Sequence, residues 1–261
     1  MNKAKEQIDI ANKIELLHEQ NQAILKANSL IQKTRYSLSL QEQKIILYVI
    51  SKIEPNDDDF KYYEFDLKDL CALCGIEYHG ENYKNFKNSI ETLSSKCLWI
   101  DNGTQEIICH WVDTVIIDKV NPNIVYVRMN DKLKPYLLQL KNNYTIYELS
   151  NTLFMDSKYS IRIYELLKSY AYMSKWEISI EELKKLLCLE NKYTEYKDFR
   201  KRIIDKAIEE INKYTEINVD YTPIRTNRII THLHFSITKK NSDEINTMVI
   251  TKAEERKSRE G

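Results

Sequence analysis

Glycine is scarce in this sequence: Gly75, Gly80, Gly103 and Gly261 are all there is, and residues 104–260 hold none. Loops that cradle phosphates need clustered glycines so that backbone N–H groups can close on the anion. Neither the P-loop spacing nor the dinucleotide fingerprint occurs, which sets aside ATPase, kinase and Rossmann chemistry. Long apolar runs are missing too; none approaches the roughly 18 residues of a membrane span. Met1–Glu19 is charged and lacks a signal peptide's apolar centre and cleavage site. A cytoplasmic protein without membrane contact is expected. The five cysteines, an odd number in a chain without an export signal, read as reduced thiols.

An excess of one charge is also lacking, with 39 Lys+Arg against 39 Asp+Glu. The charge is unevenly spread, however. Glu54–Met155 holds 10 basic and 16 acidic residues, a balance of −6, whereas Asp156–Lys240 holds 17 and 13, a balance of +4. Binding a phosphate backbone needs local positive potential, not a basic whole chain. The second half is the better candidate to touch nucleic acid.

What is present is an internal repeat. Residues 65–76, FDLKDLCALCGI, match 178–189, ISIEELKKLLCL, at an offset of 113. Each block reads as a short helix with the same entry chemistry: Asp66 and Ser179 are the N-caps, followed three residues on by Asp69 and Glu182. Phe65 and Ile178 precede the caps and can staple onto Leu70 and Leu183. At the same offset Tyr83-Lys84-Asn85-Phe86-Lys87 matches Tyr196-Lys197-Asp198-Phe199-Arg200, each opening a longer helical pattern, to about Leu98 and about Tyr214.

Upstream of the blocks lie further amphipathic helices, Gln41–Ile53 behind the capping box Ser39-x-x-Glu42, and Lys158–Tyr172 with Ile161, Tyr164, Leu166 and Leu167 on its apolar side. Downstream comes strand-like alternation at Ile107–Ile117 and Asn123–Met129, and again at Glu216–Tyr221 and Arg228–Ile237. Helix, helix, helix, hairpin is a winged helix, with Pro223–Asn227 as the expected tip of the second wing. The expected fold is α+β and helix-rich, with tandem pseudo-symmetric winged-helix domains. The expected divisions are an N-terminal helical extension over 1–27, domains over 28–150 and 151–240, and a charged tail over 241–261. Within that tail, the alternating charges of Glu254–Glu260 read as a frayed helix or a disordered segment.

In a helix-turn-helix the second helix enters the major groove and the wing lies along the backbone or minor groove. Turning about 100° per residue puts Phe199, Ile203, Ile204, Ala207, Ile208 and Ile211 on one apolar arc. Lys201, Arg202, Asp205, Lys206 and Glu209 lie opposite, with Lys197 at the edge. Arg200 falls inside the apolar arc and ranks below Lys201 and Arg202 as a DNA contact. Arg225 and Arg228 flank the wing tip. The equivalent helix of the first copy presents Asn85, Asn88, Thr92, Ser95 and Lys96, polar but hardly cationic. The bland reading of the second face, a solvated charged surface, is weakened by the two wing arginines.

The sequence resembles the Rep_3-type initiator replication proteins of theta-replicating plasmids. The resemblance rests on Asn28-Ser29-Leu30-Ile31, on Tyr36–Lys44 (YSLSLQEQK) and on Lys158–Leu167 (KYSIRIYELL). Tyr196–Arg200, Ala207–Asn212 (AIEEIN) and Thr215 add to it, and it spans about residues 24–238. It implies binding of double-stranded DNA at directly repeated origin sites (iterons), promotion of origin opening, and recruitment of host replication proteins such as the initiator DnaA and the replicative helicase. It further implies a monomer–homodimer equilibrium through the first domain, with the dimer repressing its own gene. Carried onto this chain, Lys197, Arg200, Lys201, Arg202, Lys206, Arg225 and Arg228 would contact DNA. The first domain would add backbone contacts and the dimer surface. Neither catalytic residue, metal nor cofactor is expected.

Three sharper alternatives compete. His232-Leu233-His234 has the form of the metal-binding triplet of nicking nucleases, and on a strand both rings share a face. That chemistry needs a sheet-centred fold and a third ligand, so the chain is read as a binding protein rather than an enzyme. Cys71-x-x-Cys74 could be half a zinc site, but the repeat aligns Cys74 with Leu187, so buried thiols fit better. A tandem winged-helix transcription regulator without a replication role is not separable by composition.

Overall fold

The computed structural model describes residues 22–54, 56–74 and 80–260. The first copy starts from strand β1 (Ala23–Ala27), helix α1 (Asn28–Gln32), strand β2 (Thr34–Tyr36) and helix α2 (Leu40–Ser51). Ser39 and Glu42 close the expected capping box at the start of α2, each side chain bonding the other's backbone N–H. Ten consecutive residues of α2, Glu42–Ser51, are buried. A helix packed all round is the centre of a fold, not its face.

Strand β3 (Tyr63–Asp66) leads into α3 (Leu67–Leu73) and α4 (Gly80–Leu93). Their counterparts in the second copy are β9 (Lys175–Ser179) and α8 (Ile180–Leu186), so the two short helices keep the offset of 113 residue for residue. Their caps are made as expected. Asp66 accepts from the Lys68 N–H and Ser179 from the Glu182 N–H. Cys71 and Cys74 sit fully buried in the first copy's core, and burial pushes the Cys71 thiol up to about 12. Among the described residues, no three His, Cys, Asp or Glu side chains gather as a metal site.

The copies diverge after their longer helices. The first inserts a hairpin, β4 (Cys97–Asp101) and β5 (Glu106–His110), which extends a sheet in the order β2-β4-β5. Only then comes its wing, β6 (Val112–Ile117) and β7 (Ile124–Met129), in a sheet ordered β3-β7-β6. The expected strand over Ile107–Ile117 is therefore two strands, divided at the buried Trp111. The expected helix to Leu98 stops at Leu93, and Leu98 lies in β4. The second copy has no inserted hairpin: β10 (Ile217–Thr226) and β11 (Ile229–Lys239) form the sheet β10-β11-β9 directly. Matching β3-β7-β6 with β9-β11-β10 gives two winged helices of one topology in one chain.

A short helix α5 (Lys134–Leu137), strand β8 (Tyr144–Glu148) and helix α6 (Ser150–Leu153) lead to α7 (Lys158–Tyr170). β8 pairs antiparallel with β1, Leu25 opposite Ile146. The helical extension expected over 1–27 lies outside the described residues as far as residue 21, and Ala23–Ala27 is strand, not helix. Helix α7 is buried on both sides. Its apolar side carries Ile161, Tyr164, Leu166 and Leu167 as expected. Its polar side enters a closed cluster with the first copy: Glu165 accepts from Lys26 Nζ at 2.6 Å, from Tyr147 at 2.5 Å and from Tyr36 at 3.3 Å. Arg162 donates to the carbonyls of Ile31 and Thr34 at 2.7 and 2.5 Å. Burial alone would raise the Glu165 carboxyl, but the flanking Lys26 and Arg162 charges outweigh it and hold the group below its ordinary value.

Within the expected charged tail, the chain is helical from Ser242 to Glu260. This is helix α11, α9 and α10 being the two halves of the second copy's long helix.

Candidate nucleic-acid interface

That helix runs without a break over 196–214. It opens as α9 (Tyr196–Phe199), passes through one π turn at Arg200–Ile204 and continues as α10 (Asp205–Tyr214). In the π turn the Asp205 N–H bonds the Arg200 carbonyl, five residues back. The wider turn adds one residue, which shifts the phase of everything before it by about 100°. Phe199, Ile203, Ile204, Ala207 and Ile211 then all pack inward, and Arg200 turns out of the apolar arc where uniform α geometry had placed it. Its side chain is 56% exposed and pairs with Asp205 at 3.3 Å. This corrects the expected face of Arg200, and the cause is helical geometry, not side-chain chemistry.

All five expected cations of the helix, Lys197, Arg200, Lys201, Arg202 and Lys206, are exposed. Lys206 is tied to Glu210 at 2.7 Å and Arg200 to Asp205. Lys197, Lys201 and Arg202 have no hydrogen-bond or ion-pair partner among the described residues and extend into solvent. Asp205 also accepts from the Tyr221 hydroxyl on β10 at 2.5 Å. Asn212 bonds Val219 twice, donating to its carbonyl at 2.9 Å and accepting from its N–H at 2.7 Å. Helix and wing are thereby held as one rigid surface.

The wing is longer than expected. Pro223 and Arg225 lie within β10, and the turn is Asn227-Arg228, both left-handed at φ 50° and 71°. Two successive left-handed residues make the hairpin turn whose twist suits its strands. Asparagine tolerates this, whereas arginine pays roughly 1–2 kcal/mol where glycine would pay nothing. Arg225 and Arg228 are exposed and, among the described residues, unpartnered. The strained Arg228 puts a cation at the extreme tip, and the sequence signal for it was the Asn-Arg pair rather than a glycine.

The first copy's α4 shows Lys84, Asn85, Asn88 and Glu91 to solvent. Ser95 and Lys96, expected on its face, lie past its end, where Lys96 pairs with the buried Glu42 at 3.4 Å. Thr92 also donates to Glu42 at 2.8 Å. Lys84 is the exposed cation that the face assignment missed. His232 and His234 lie on β11, the return strand of the second wing. His234 Nδ1 stands 3.6 Å from Glu177 across the sheet, and His232 Nδ1 is 3.0 Å from the Thr231 hydroxyl. Among the described residues no helix is long and apolar enough to cross a membrane.

Comparison with curated protein sequences finds no match. Among solved structures, the chain is similar to the Pi initiator protein in a crystal structure with iteron DNA, with a TM-score of 0.71 and 19% identity. That alignment covers 85% of this chain and 99% of the other. A crystal structure of domains 2 and 3 of RctB aligns over 78% of this chain and 85% of the other, at a TM-score of 0.45 and 11% identity. Residues 23–168 match the family described as "Initiator Replication protein, WH1", and residues 179–237 match "Initiator Rep protein, WH2". With two winged helices built as described and most of its length matched, the chain belongs to the initiator replication protein family.

Proposed function

We propose that this protein is a plasmid replication initiator that binds directly repeated double-stranded origin DNA, chiefly through its second winged helix. The observation that carries the reading is the continuous surface on which Lys197, Lys201 and Arg202 of the helix stand with Arg225 and Arg228 of the wing, five exposed cations without a partner among the described residues. Unpaired cations on a helix and its wing suit a polyanion whose counterions they displace. The Pi initiator, similar in fold, is known bound to iteron DNA. The unequal copies support recognition of two unequal half-sites about one helical turn apart, hence a directional site.

Residues 151–240 would carry the main recognition. Residues 28–150 would add weaker backbone contact and self-association, the dimer repressing the protein's own gene. Origin opening and recruitment of DnaA and the replicative helicase belong to the same reading. Footprinting on DNA flanking the gene, repeated across salt, tests it. Protection of tandem repeats, with affinity falling steeply as salt rises, is the expected result. Protection of a lone promoter site, with no flanking segment able to support autonomous replication, would favour a transcription regulator. Metal-dependent nicking of origin DNA that disappears in His232→Ala would overturn the binding-only reading.

A further inference from the structure

The helix α11 lies beyond the family match, which stops at residue 237, yet it is bound into the molecule along its whole length. Asn241 and Glu244 form a capping box at its start, and Glu244 also accepts from Asn218 of β10 at 2.7 Å. One turn on, Met248 is buried. Glu255 takes an ion pair from Lys213, in the last turn of the 196–214 helix. Lys252 is buried and donates to Ser150 at 3.2 Å and Asn151 at 2.9 Å. Arg259 donates to the Phe154 carbonyl and pairs with Asp156, both at 3.1 Å, with its guanidinium over the Phe154 ring.

With α7 taken as the first helix of the second copy, residues 150–156 are the connector between the two copies. The contacts of α11 therefore join the second copy's recognition helix at one place and the connector at several others. Its far end reaches the point where the copies meet. Lys44 of α2 is almost wholly buried, and that burial pushes its ammonium below the ordinary value; Cys74, Asp156, Arg259 and Glu210 are the groups around it. Cys74 closes α3, just ahead of the first copy's recognition helix, and Glu210 lies on the second. Most of these contacts are polar or ionic. Polar seams of this kind fix a geometry more than they add stability.

We propose that α11 is a strap that locks the connector and so sets the distance and angle between the two recognition helices, and with them the half-site spacing the protein accepts. The spacing role rests on the DNA reading above; the locking of the connector does not. On DNA each added base pair rotates one half-site by about 35° relative to the other, so a locked pair of domains tolerates few spacings and an unlocked pair tolerates several.

The test uses the full chain carrying Lys252→Glu and Arg259→Glu together, which set new carboxylates against Glu148, Glu216 and Asp156. Arg259→Gln alone serves as a milder second variant. In the free protein, hydrogen exchange is expected to rise across α11 and also across the connector. On origin DNA with one or two base pairs added between half-sites, wild type should lose about tenfold or more in affinity, the scale of a misplaced contact. The strap variants should lose about threefold or less. Exposed α11 amides beside an unchanged connector and an unchanged spacing penalty would overturn the proposal, as would an α11 that stays protected in both variants. Wild type failing to bind the origin DNA at native spacing would instead remove the DNA reading and the spacing role with it.

Discussion

Replacing Glu165 by alanine takes the compensating anion out of a cluster that also holds Lys26 and Arg162. All three residues are at most 3% exposed. Breaking a buried ion pair by removing one partner costs about 3–5 kcal/mol, because the remaining charge is left without water or counter-charge. Here the burden falls unequally. Arg162 keeps the Ile31 and Thr34 carbonyls and cannot shed its proton. Lys26 loses its 2.6 Å partner, and burial already pushes its ammonium below the ordinary value. The Tyr36 and Tyr147 hydroxyls lose their acceptor as well. We expect Glu165→Ala to lower unfolding free energy by about 4 kcal/mol at neutral pH, and Glu165→Gln, which keeps an acceptor, by less. Raising the pH should return part of the loss in Glu165→Ala, since Lys26 can then be buried neutral. Urea unfolding followed by Trp111 fluorescence reads both effects, the Trp111 ring standing 5.0 Å from Tyr36. A loss below about 1 kcal/mol, or a loss independent of pH, would refute the reasoning.

Lys201→Ala and Arg202→Ala should each weaken origin binding by about 1–3 kcal/mol if they reach bases, with thermal stability unchanged; binding titrations beside melting curves check this. Arg228→Gly should stabilise the wing by up to about 1–2 kcal/mol while weakening DNA binding, and a variant that binds as tightly as wild type would remove Arg228 from the interface. Lys252 is held down by burial to about 8, so the docked ammonium is disfavoured relative to the free one. The sign follows: α11 docking is stronger by about 3 kcal/mol above pH 10.5 than below pH 8, and weakens as pH falls between those values. An Nζ titration midpoint above 10 would contradict it. Asn212→Ala breaks two bonds to Val219 and should cost about 1–3 kcal/mol by denaturant unfolding.

The repeat was legible because it is local. Asp66 and Ser179 cap helices of equal length, and side-chain chemistry over a few residues dictates that much. The seven cations were legible as surface residues for the same reason. The π turn was not, since a single extra residue leaves the apolar pattern of Ile203, Ile204 and Ala207 looking like an ordinary helix. The polar side of α7 was opaque for a different reason: Arg162 and Glu165 look solvated unless their partners Lys26 and Ile31, some 130 residues earlier, are known to lie against them. The packing of the last helix was not legible either, since Lys252 and Arg259 are held in place by groups at residues 150–156 that no periodicity announces. The inserted β4–β5 hairpin was hidden by continuous alternation through Trp111.

The Lys26–Glu165 pair, separated by 139 residues, also has a meaning in time. At a synthesis rate of about 5–20 residues per second, the first strand is made roughly 7 to 28 s before the carboxylate that neutralises it. Until α7 is made, the first winged helix carries a cation destined for burial with nothing to meet it, and an uncovered flank. The burial of Lys26 beside its counter-charge therefore has to await α7, so that one helix of the second copy completes the first.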